Sequence, residues 1–430
     1  MKRTKIVALL VSALFILGLT APLMLSTTGS PISGIPLTIY NSGTQNTPIQ
    51  SKQESVNLTI VFHSDLHSEL VPWPLADYLP GINNDTTVGG MTRIATMIKQ
   101  IRASAAAASE QVLAFEVGDF LMGTAFSWAG AAEGGCSPEI LLMSPTSGFG
   151  LNYTALALGN HEFDYSDHGL SLILNNTDNY KILGIVDVVM PLILCSNLDL
   201  SNDVRNLGAY VKPNATITVS GVKIGLFSVI GYGAMATMFF TGSYNILDPI
   251  ETARQQVEYL SSDPDIDLII CLSHSGWERD VVLAQQVPGI DLILSGHDHE
   301  ETPEPIRVGN TTIVDSGALG VKLGMLNITV NANNDPGQGI TFRQWSLLPI
   351  NDNITEDAVA KLVVDTALGE IDTVLASRGL PSTREVIANT TTGVPSVGDV
   401  PGGETPIGDL VADAIRWMAN NVSADDPYVD

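Results

Sequence analysis

Short apolar runs rich in β-branched residues recur along the chain, and many of them are followed by Gly, Asp, Asn or His. Such runs predict buried strands, which here cover residues 58–62, 112–117, 192–195, 223–230, 268–272, 292–295, 312–315 and 326–330. Residues 91–108 and 251–262 instead place apolar side chains at helical spacing. Strands that alternate with helices predict an α/β fold in which the loops carry the chemistry.

The start of the chain has a different pattern from residues 55–350, which we expect to be the main domain. A basic N-terminus precedes the apolar residues 6–25, and this is typical of an export signal, although the run is also long enough to span a bilayer. Residues 1–30 are therefore predicted to be a signal peptide or a membrane anchor, and the polar residues 31–54 a flexible tether. These features favour an extracytoplasmic location: secreted, periplasmic or on the outer cell surface.

Beyond residue 350 the sequence predicts one long helix, which starts a linker over residues 351–385. A loop rich in Pro, Gly and Thr follows, and a new helix opens near Pro406 with Thr405 as its N-cap. Residues 386–430 are too few to form a core of normal size by themselves. We expect them to be the beginning of a second, incomplete domain.

The chain is strongly acidic, with 46 acidic and 20 basic residues and a formal net charge of −26. No basic stripe is visible, so nucleic-acid binding is not expected. The three cysteines allow at most one disulfide, and Cys195 and Cys271 lie in apolar runs that predict buried free thiols.

Ten Asn-x-Ser/Thr sequons either mark a glycosylated outer-surface protein or arise by chance from a composition rich in Asn and Thr. The sequons begin at Asn57, Asn84, Asn152, Asn175, Asn214, Asn310, Asn327, Asn353, Asn389 and Asn421. The first alternative agrees with the export predicted from the N-terminus.

Five of the seven histidines occur in four short motifs that follow predicted strands. The motifs are SDLH (64–67), GNHEFD (159–164), SHSGW (273–277) and SGHDH (295–299). Asp65 and His67 are two residues apart, and so are His297 and His299. In an extended segment the two side chains of such a pair point the same way and can hold one cation together. A surface loop without a metal is the alternative for each motif taken alone.

Two other strand ends add candidates for the same chemistry. Gly118 allows a tight turn from which Asp119 can project as a carboxylate shared by two metals. In GNHEFD, Asn160 offers an amide oxygen as a ligand. Asp164 would orient His161 and favour its charged form, which suits a group that acts on a phosphoryl oxygen.

The candidate ligands are too many for one tetrahedral zinc and suit two ions that share a carboxylate. They are Asp65, His67, Asp119, Asn160, His274, His297 and His299. Because nitrogen and oxygen ligands are mixed, we expect two divalent ions of Mn, Zn, Fe or Co rather than Ca.

The order Asp-x-His, Gly-Asp, Gly-Asn-His-Glu, His and Gly-His-x-His resembles the calcineurin-like metallophosphoesterases, and more narrowly their 5′-nucleotidase branch. Segments 89–102, 274–300 and 314–330 carry the narrower resemblance, and 404–416 resembles the opening of that family's second domain. The resemblance implies an α/β fold of the α+β four-layer αββα sandwich type over residues 55–350. A linker helix and a partial C-terminal nucleotidase domain would follow.

Roles for single residues are also implied by the resemblance, through motif position. It assigns Asp65, His67 and His299 to one metal, Asn160, His274 and His297 to the other, and Asp119 as the bridge. His161 and Asp164 would form the catalytic dyad, Asn160 would also contact the substrate, and Arg93 stands where an arginine is often found near the site.

The activity implied by the resemblance is hydrolysis of phosphate monoesters, above all nucleotides, by a metal-bridging hydroxide. The part of the second domain that would bind a nucleobase is expected after Asp430. Either a partner chain supplies it, or the sequence is a fragment or a shortened member. Two other functions stay open: a sulfate thiohydrolase-like enzyme of the same branch, and a non-catalytic surface protein that binds metal.

Overall fold

The computed structural model describes residues 55–74, 86–132, 134–238, 241–331, 336–338, 340–377 and 379–383. The predicted signal peptide or anchor (1–30), the tether (31–54) and the predicted start of a second domain (386–430) lie outside these residues. The chain divides after Ile371 into two compact units, Met1–Ile371 and Asp372–Asp430. In the second unit, the described residues are the end of a helix and a short stretch after it.

Strands and helices alternate along much of the described part of the chain. The strands are β1 (Ser55–His63), β2 (Trp73–Pro74), β3 (Thr87–Val88), β4 (Gln111–Glu116), β5 (Ala155–Ala157), β6 (Lys181–Ile182), β7 (Val186–Asp187), β8 (Ile193–Leu194), β9 (Val211–Lys212), β10 (Asn214–Val219), β11 (Val222–Ile230), β12 (Leu268–His274), β13 (Leu292–Gly296), β14 (Ile306–Val308), β15 (Thr311–Asp315), β16 (Lys322–Asn331) and β17 (Thr341–Pro349). The α-helices are α1 (Met91–Ala107), α2 (Ser127–Ala131), α3 (Pro138–Met143), α4 (Ser166–Asp178), α5 (Tyr232–Thr237), α6 (Pro249–Ser261), α7 (Trp277–Gln286) and α8 (Ala358–Ser377). Short 3₁₀ turns cover His161–Phe163 and Leu207–Ala209.

Most of the strands form two large mixed sheets. The seven-stranded sheet has the order β17-β16-β1-β4-β5-β8-β9, and the six-stranded sheet has the order β10-β11-β12-β13-β15-β14. In the first sheet β1, β4, β5, β8 and β9 run parallel, and in the second β11, β12, β13 and β15 do so. Because parallel strands end at the same edge of a sheet, the loops after β1, β4 and β5 lie side by side, as do those after β12 and β13.

An apolar core between the two sheets joins them face to face. Alternate residues of each strand enter this core, because successive side chains of a strand point to opposite faces. From β1 and β12 these residues are Leu58, Ile60, Phe62, Leu268, Ile270 and Leu272. Ile269 and Cys271, on the other face of β12, pack with α6 and α7, while α1 packs against β4 on the outer side of the first sheet. Helix, sheet, sheet and helix form four layers, so the predicted fold class is confirmed.

The predicted strands and the predicted helices over residues 91–108 and 251–262 are present, and the linker helix differs in where it starts. The helix predicted near Pro406 lies outside the described residues. The sequence predicts a helix from residue 351, whereas α8 begins at Ala358. Asp357 explains the later start, because its Oδ1 accepts hydrogen bonds from the backbone N–H groups of Val359 and Ala360. This is the N-cap arrangement that begins a helix.

The cysteines are all buried and free, at Cys136, Cys195 and Cys271. The prediction for Cys195 and Cys271 is therefore confirmed. None of the helices in the described part of the chain is long and apolar enough to cross a membrane. The apolar segment 6–25 lies outside that part.

Ile270 tests how much the core between the sheets contributes to stability, because its side chain is completely buried there. Ile270→Ala is expected to lower the free energy of unfolding by about 2–5 kcal/mol, since it removes apolar contacts and leaves a cavity. Urea unfolding followed by circular dichroism measures the change. Val282→Ala is the control, because Val282 is 44% exposed on α7 and should change the value by less than about 0.5 kcal/mol. Equal effects for the two variants would contradict this account of the core.

Candidate metal centre

The seven predicted ligands meet at one edge of the fold, where strands of both sheets end. From the first sheet, Asp65 and His67 follow β1, Asp119 follows β4 and Asn160 follows β5. From the second sheet, His274 is the last residue of β12, and His297 and His299 follow β13. The packing of one sheet on the other therefore brings these distant parts of the chain together.

One group of ligand atoms comes from Asp65, His67 and His299, and these atoms lie within 4.8 Å of one another. Nε2 of His67 is 3.1 Å from Nε2 of His299, and Oδ1 of Asp65 is 3.6 Å from the same His299 atom. Two imidazole nitrogens and a carboxylate oxygen at such distances are suited to zinc or a divalent transition metal. This is the set that motif position assigns to one metal.

A second group comes from Asp119, His274 and His297, again with ligand atoms within 4.8 Å of one another. Nε2 of His274 is 3.0 Å from Oδ2 of Asp119. Asp119 also forms a third group with His67 and His161, whose ligand atoms again lie within 4.8 Å of one another. Its carboxylate thus lies between the two sets of histidines, where a shared ligand would have to be.

Two buried oxygen atoms support a cation at this place. Oδ1 of Asp65 and Oδ1 of Asn160 are buried and accept no hydrogen bond from the described residues. Such atoms are costly unless something satisfies them, and a divalent cation would do so. The loop that carries Asn160 is held beside Asp119, because the backbone N–H of His161 donates to Oδ1 of Asp119 over 2.8 Å. The residues present therefore fit a metal centre.

Five of the predicted ligands have a left-handed backbone conformation that L-amino acids rarely adopt. The φ angles are 51° at Asp65, 49° at His67, 59° at Asp119, 98° at His297 and 59° at His299. The extended pairs expected for Asp65–His67 and His297–His299 are therefore not found. A residue in this region costs of the order of 1–3 kcal/mol, so the surrounding fold holds these ligands against their local preference.

His274 and Asp119 form a buried charged contact within the site. The Nδ1–H of His274 donates to the backbone oxygen of Val117 over 2.8 Å, which leaves Nε2 to face Asp119. Burial disfavours a charge on His274, but the Asp119 carboxylate outweighs burial and raises the pKa of His274 to about 10. In return, His274 and His67 hold the pKa of Asp119 below its usual value in spite of burial. A bound cation would take the place of that proton.

His161 and Asp164 form a separate pair beside the ligands. Nδ1 of His161 is 2.7 Å from Oδ2 of Asp164, and its ring centre is 5.0 Å from that of His67. The hydrogen bond to Asp164 is the main cause that raises the pKa of His161 to about 9. His161 therefore carries a positive charge at neutral pH, and its side chain is 37% exposed, so it is accessible to a substrate.

The same residues lie within a region that matches a known family. The family described as Calcineurin-like phosphoesterase matches residues 58–301, which are more than half of the chain and contain every predicted ligand. The chain belongs to this family. The predicted resemblance is thereby confirmed.

Relatives of this calcineurin-like phosphoesterase include nucleotidases. A 5′-nucleotidase of Diplobatis ommata is 30% identical over 325 residues, which are 70% of this chain and 50% of that protein. The chain thus spans about half the length of this relative.

Two solved structures have a similar fold. A 5′-nucleotidase precursor from Thermus thermophilus matches with a TM-score of 0.59 and 23% identity, over 74% of this chain and 60% of that chain. A sulfate thiohydrolase of the same organism in complex with glycerol matches with a TM-score of 0.57 and 18% identity, over 76% of this chain and 62% of that chain. At these identities the two structures support the fold alone.

Arg93 is the predicted site residue that the structure does not bring into the cluster of ligands. It lies buried on α1, where its guanidinium donates to the backbone oxygen of Thr87 over 3.0 Å and to the Thr87 hydroxyl over 2.7 Å. Burial lowers the pKa of Arg93, and the nearby carboxylates of Glu356 and Asp352 partly oppose this shift. In the described part of the chain, these contacts tie Arg93 to the β3 segment and to the start of the linker.

Glu162 is a site residue that the sequence reasoning missed, although it lies within GNHEFD. Its buried carboxylate accepts the backbone N–H groups of Asp119 over 3.0 Å, Leu121 over 3.0 Å and Gly159 over 2.6 Å. Glu162 thereby joins the loop after β4, which carries Asp119, to the loop after β5, which carries Asn160. Burial, followed by the charge of Asp119, raises the pKa of Glu162 to about 7.

Replacement of Glu162 tests this connection between the two loops. Glu162→Ala would leave three buried N–H groups without an acceptor, so the free energy of unfolding should fall by about 3 kcal/mol or more. Glu162→Gln keeps one acceptor oxygen but turns an amide N–H towards a backbone N–H, so a smaller loss is expected. Chemical denaturation of the metal-free protein measures both, with the exposed Glu258→Ala on α6 as the control. If Glu162→Ala is no more destabilising than that control, Glu162 does not hold the loops together.

Proposed function

We propose that the protein is an exported two-metal phosphoesterase that hydrolyses phosphate monoesters, with nucleotides as its main substrates. The observation that carries the proposal is the shared position of Asp119, whose carboxylate reaches ligand groups on both sides. Membership in the calcineurin-like phosphoesterase family supplies the reaction class. Asp65, His67 and His299 would hold one ion, and Asn160, His274 and His297 the other, with Asp119 shared.

Two bound divalent ions would supply an activated water as the nucleophile and positive charge to offset the phosphoryl oxygens. The protein groups then have distinct tasks. The Val117 carbonyl and the Asp119 carboxylate fix the ring of His274, and Glu162 fixes the loop that carries Asp119.

The charged His161 is suited to act on the substrate itself. Asp164 holds its Nδ1, so the Nε2–H remains free to donate to a phosphoryl oxygen or to the leaving-group oxygen. The hydrogen bond to Asp164 raises the pKa of His161, and this favours the protonated ring that can donate. No Ser or Cys nucleophile is required, and the three cysteines are buried.

Nucleotides are proposed as substrates because a related protein over 70% of this chain is named a 5′-nucleotidase. That relative is twice as long as the matched region, so a second domain, present in a longer protein or in a partner chain, would complete the recognition of the nucleoside. The predicted similarity of residues 404–416 to the opening of such a domain supports this part of the proposal.

Export is proposed from the basic N-terminus and the apolar residues 6–25. The sequons agree with it, because the side chains of Asn57, Asn152, Asn175, Asn310 and Asn353 are exposed. A retained segment 6–25 would anchor the protein to a membrane, and a cleaved one would release it.

A sulfate thiohydrolase is the second candidate, because a protein with that name has a similar fold with a TM-score of 0.57. Its substrate would be a sulfonate on a carrier thiol rather than a phosphate ester. The metal ligands alone do not separate the two reactions, so activity measurements must.

The manganese-loaded protein should hydrolyse AMP and p-nitrophenyl phosphate, and chelation should remove the activity until metal is returned. Asp119→Ala should reduce the rate by at least about 10³-fold and lower the bound metal below two ions per chain, because it removes the shared ligand. Released phosphate and elemental analysis provide the two measurements.

A sulfonated carrier thiol, assayed in parallel, tests the second candidate. Its hydrolysis in preference to both phosphate esters would replace the proposed function with the thiohydrolase. Failure to hydrolyse any of the three, with two ions bound, would indicate a non-catalytic metal-binding protein. Full activity of Asp119→Ala would refute the shared-ligand role.

His161→Ala should lower kcat by roughly 10²–10⁴-fold while the protein still binds two ions, because His161 is assigned to the substrate and not to a metal. The matched control is His168→Ala, since His168 is exposed on α4. Loss of metal from His161→Ala would instead identify His161 as a ligand, in line with its closeness to His67 and Asp119.

A further inference from the structure

Arg279 carries a positive charge beside the second ligand group, and the proposed hydrolysis does not use this residue. It lies in the first turn of α7, which begins directly after His274, Ser275 and Gly276. Half of its side chain is exposed, so the guanidinium can be reached from solvent. Arg279 differs from Arg93 in its availability to a ligand, because Arg93 is buried and already donates hydrogen bonds to Thr87.

Gly233, on α5, shows how close this guanidinium is to the ligands. A Cβ at position 233 would lie 2.8 Å from Nη1 of Arg279 and 3.2 Å from Nε2 of His297. Both atoms therefore pack close to the α-carbon of Gly233, and the guanidinium can take this position because residue 233 has no side chain. An anion bound beside the candidate ligand His297 would be within reach of the guanidinium.

Asp298 is the ion-pair partner of Arg279 among the described residues, and the pair is loose. Nη1 of Arg279 is 3.7 Å from Oδ1 of Asp298, which is longer than a hydrogen bond. The same oxygen is 3.8 Å from Nε2 of His297. Asp298 therefore keeps the guanidinium near the site and partly offsets its charge, but it leaves the N–H donors available.

We propose that Arg279 binds the phosphoryl group of the substrate next to His297, and that Gly233 allows the guanidinium to take the position required for this contact. The proposal rests on the proposed phosphoesterase function. Arginine suits this task because its planar fork of N–H donors matches two oxygens of a phosphate. The contact would add a charge-assisted hydrogen bond to the one that His161 is proposed to donate.

Inorganic phosphate, the product of every phosphate ester, is the probe, and titration calorimetry on the manganese-loaded full chain measures its Kd. Arg279→Ala should weaken phosphate binding by roughly 10- to 100-fold, the value of a hydrogen bond to a charged group. Bound manganese should stay the same, and KM for p-nitrophenyl phosphate should rise. Arg254→Ala is the matched control, because Arg254 is also half-exposed, paired with an acidic residue and on a helix, and it should change Kd less than about twofold.

Gly233→Ala provides a second variant that tests the space instead of the charge. Its backbone is not left-handed, and alanine is favoured over glycine within a helix, so folding should not suffer. The new methyl group would displace the flexible end of Arg279, and phosphate binding should weaken as in Arg279→Ala. In the Arg279→Ala background, Gly233→Ala should have a much smaller effect, since the guanidinium is absent and only the 3.2 Å contact of the methyl group with Nε2 of His297 remains.

Several outcomes would overturn the proposal. They are an unchanged Kd for Arg279→Ala, a loss of manganese that accounts for the weaker binding, equal weakening by Gly233→Ala in both backgrounds, or no phosphate binding by the manganese-loaded wild type. The proposed function can fail separately: phosphate binding that depends on Arg279, without hydrolysis of any phosphate ester, would refute the enzyme and leave the assignment of Arg279 standing.

Discussion

The apolar contact between the two sheets is the interaction on which the candidate site depends. Neither sheet carries the whole ligand set: Asp65, Asp119 and Asn160 come from the ends of β1, β4 and β5, whereas His274 and His297 come from β12 and β13. Only when the two inner faces pack against each other do these strand ends form one edge. Burial of large apolar side chains thus positions polar atoms that lie outside the core.

This arrangement concentrates energetic costs at one edge of the molecule. Five of the predicted ligands have left-handed backbones, and the carboxylates of Asp65 and Asp119 are removed from water. Specific contacts offset part of these costs: His274 compensates the charge of Asp119, and Glu162 accepts three backbone N–H groups of the neighbouring loops. Unsatisfied oxygens remain at Asp65 and Asn160, among others, and a cation bound between the candidate ligands would satisfy these two.

The strands and the candidate ligands could be predicted because both depend on short-range patterns. An apolar run such as 268–272 needs no partner to be recognised, and the five clustered histidines stand out in a chain that has seven. Glu162 and Arg279 could not be identified from the sequence, since the role of each depends on contacts with residues far along the chain or in another helix. The start of α8 was misjudged for a local reason, the capping carboxylate of Asp357.

The sequence by itself determined which strands form, which residue types could bind metal, and to which family the motifs point. Tertiary structure alone decided that Asp119 lies between the two groups of histidines, that Asp65 and His67 are left-handed rather than extended, and that Arg93 is tied to Thr87. The physical reason is that strand formation follows from the local alternation and β-preference of side chains. Distances across the site follow from how two sheets pack, and that packing is a property of the whole core.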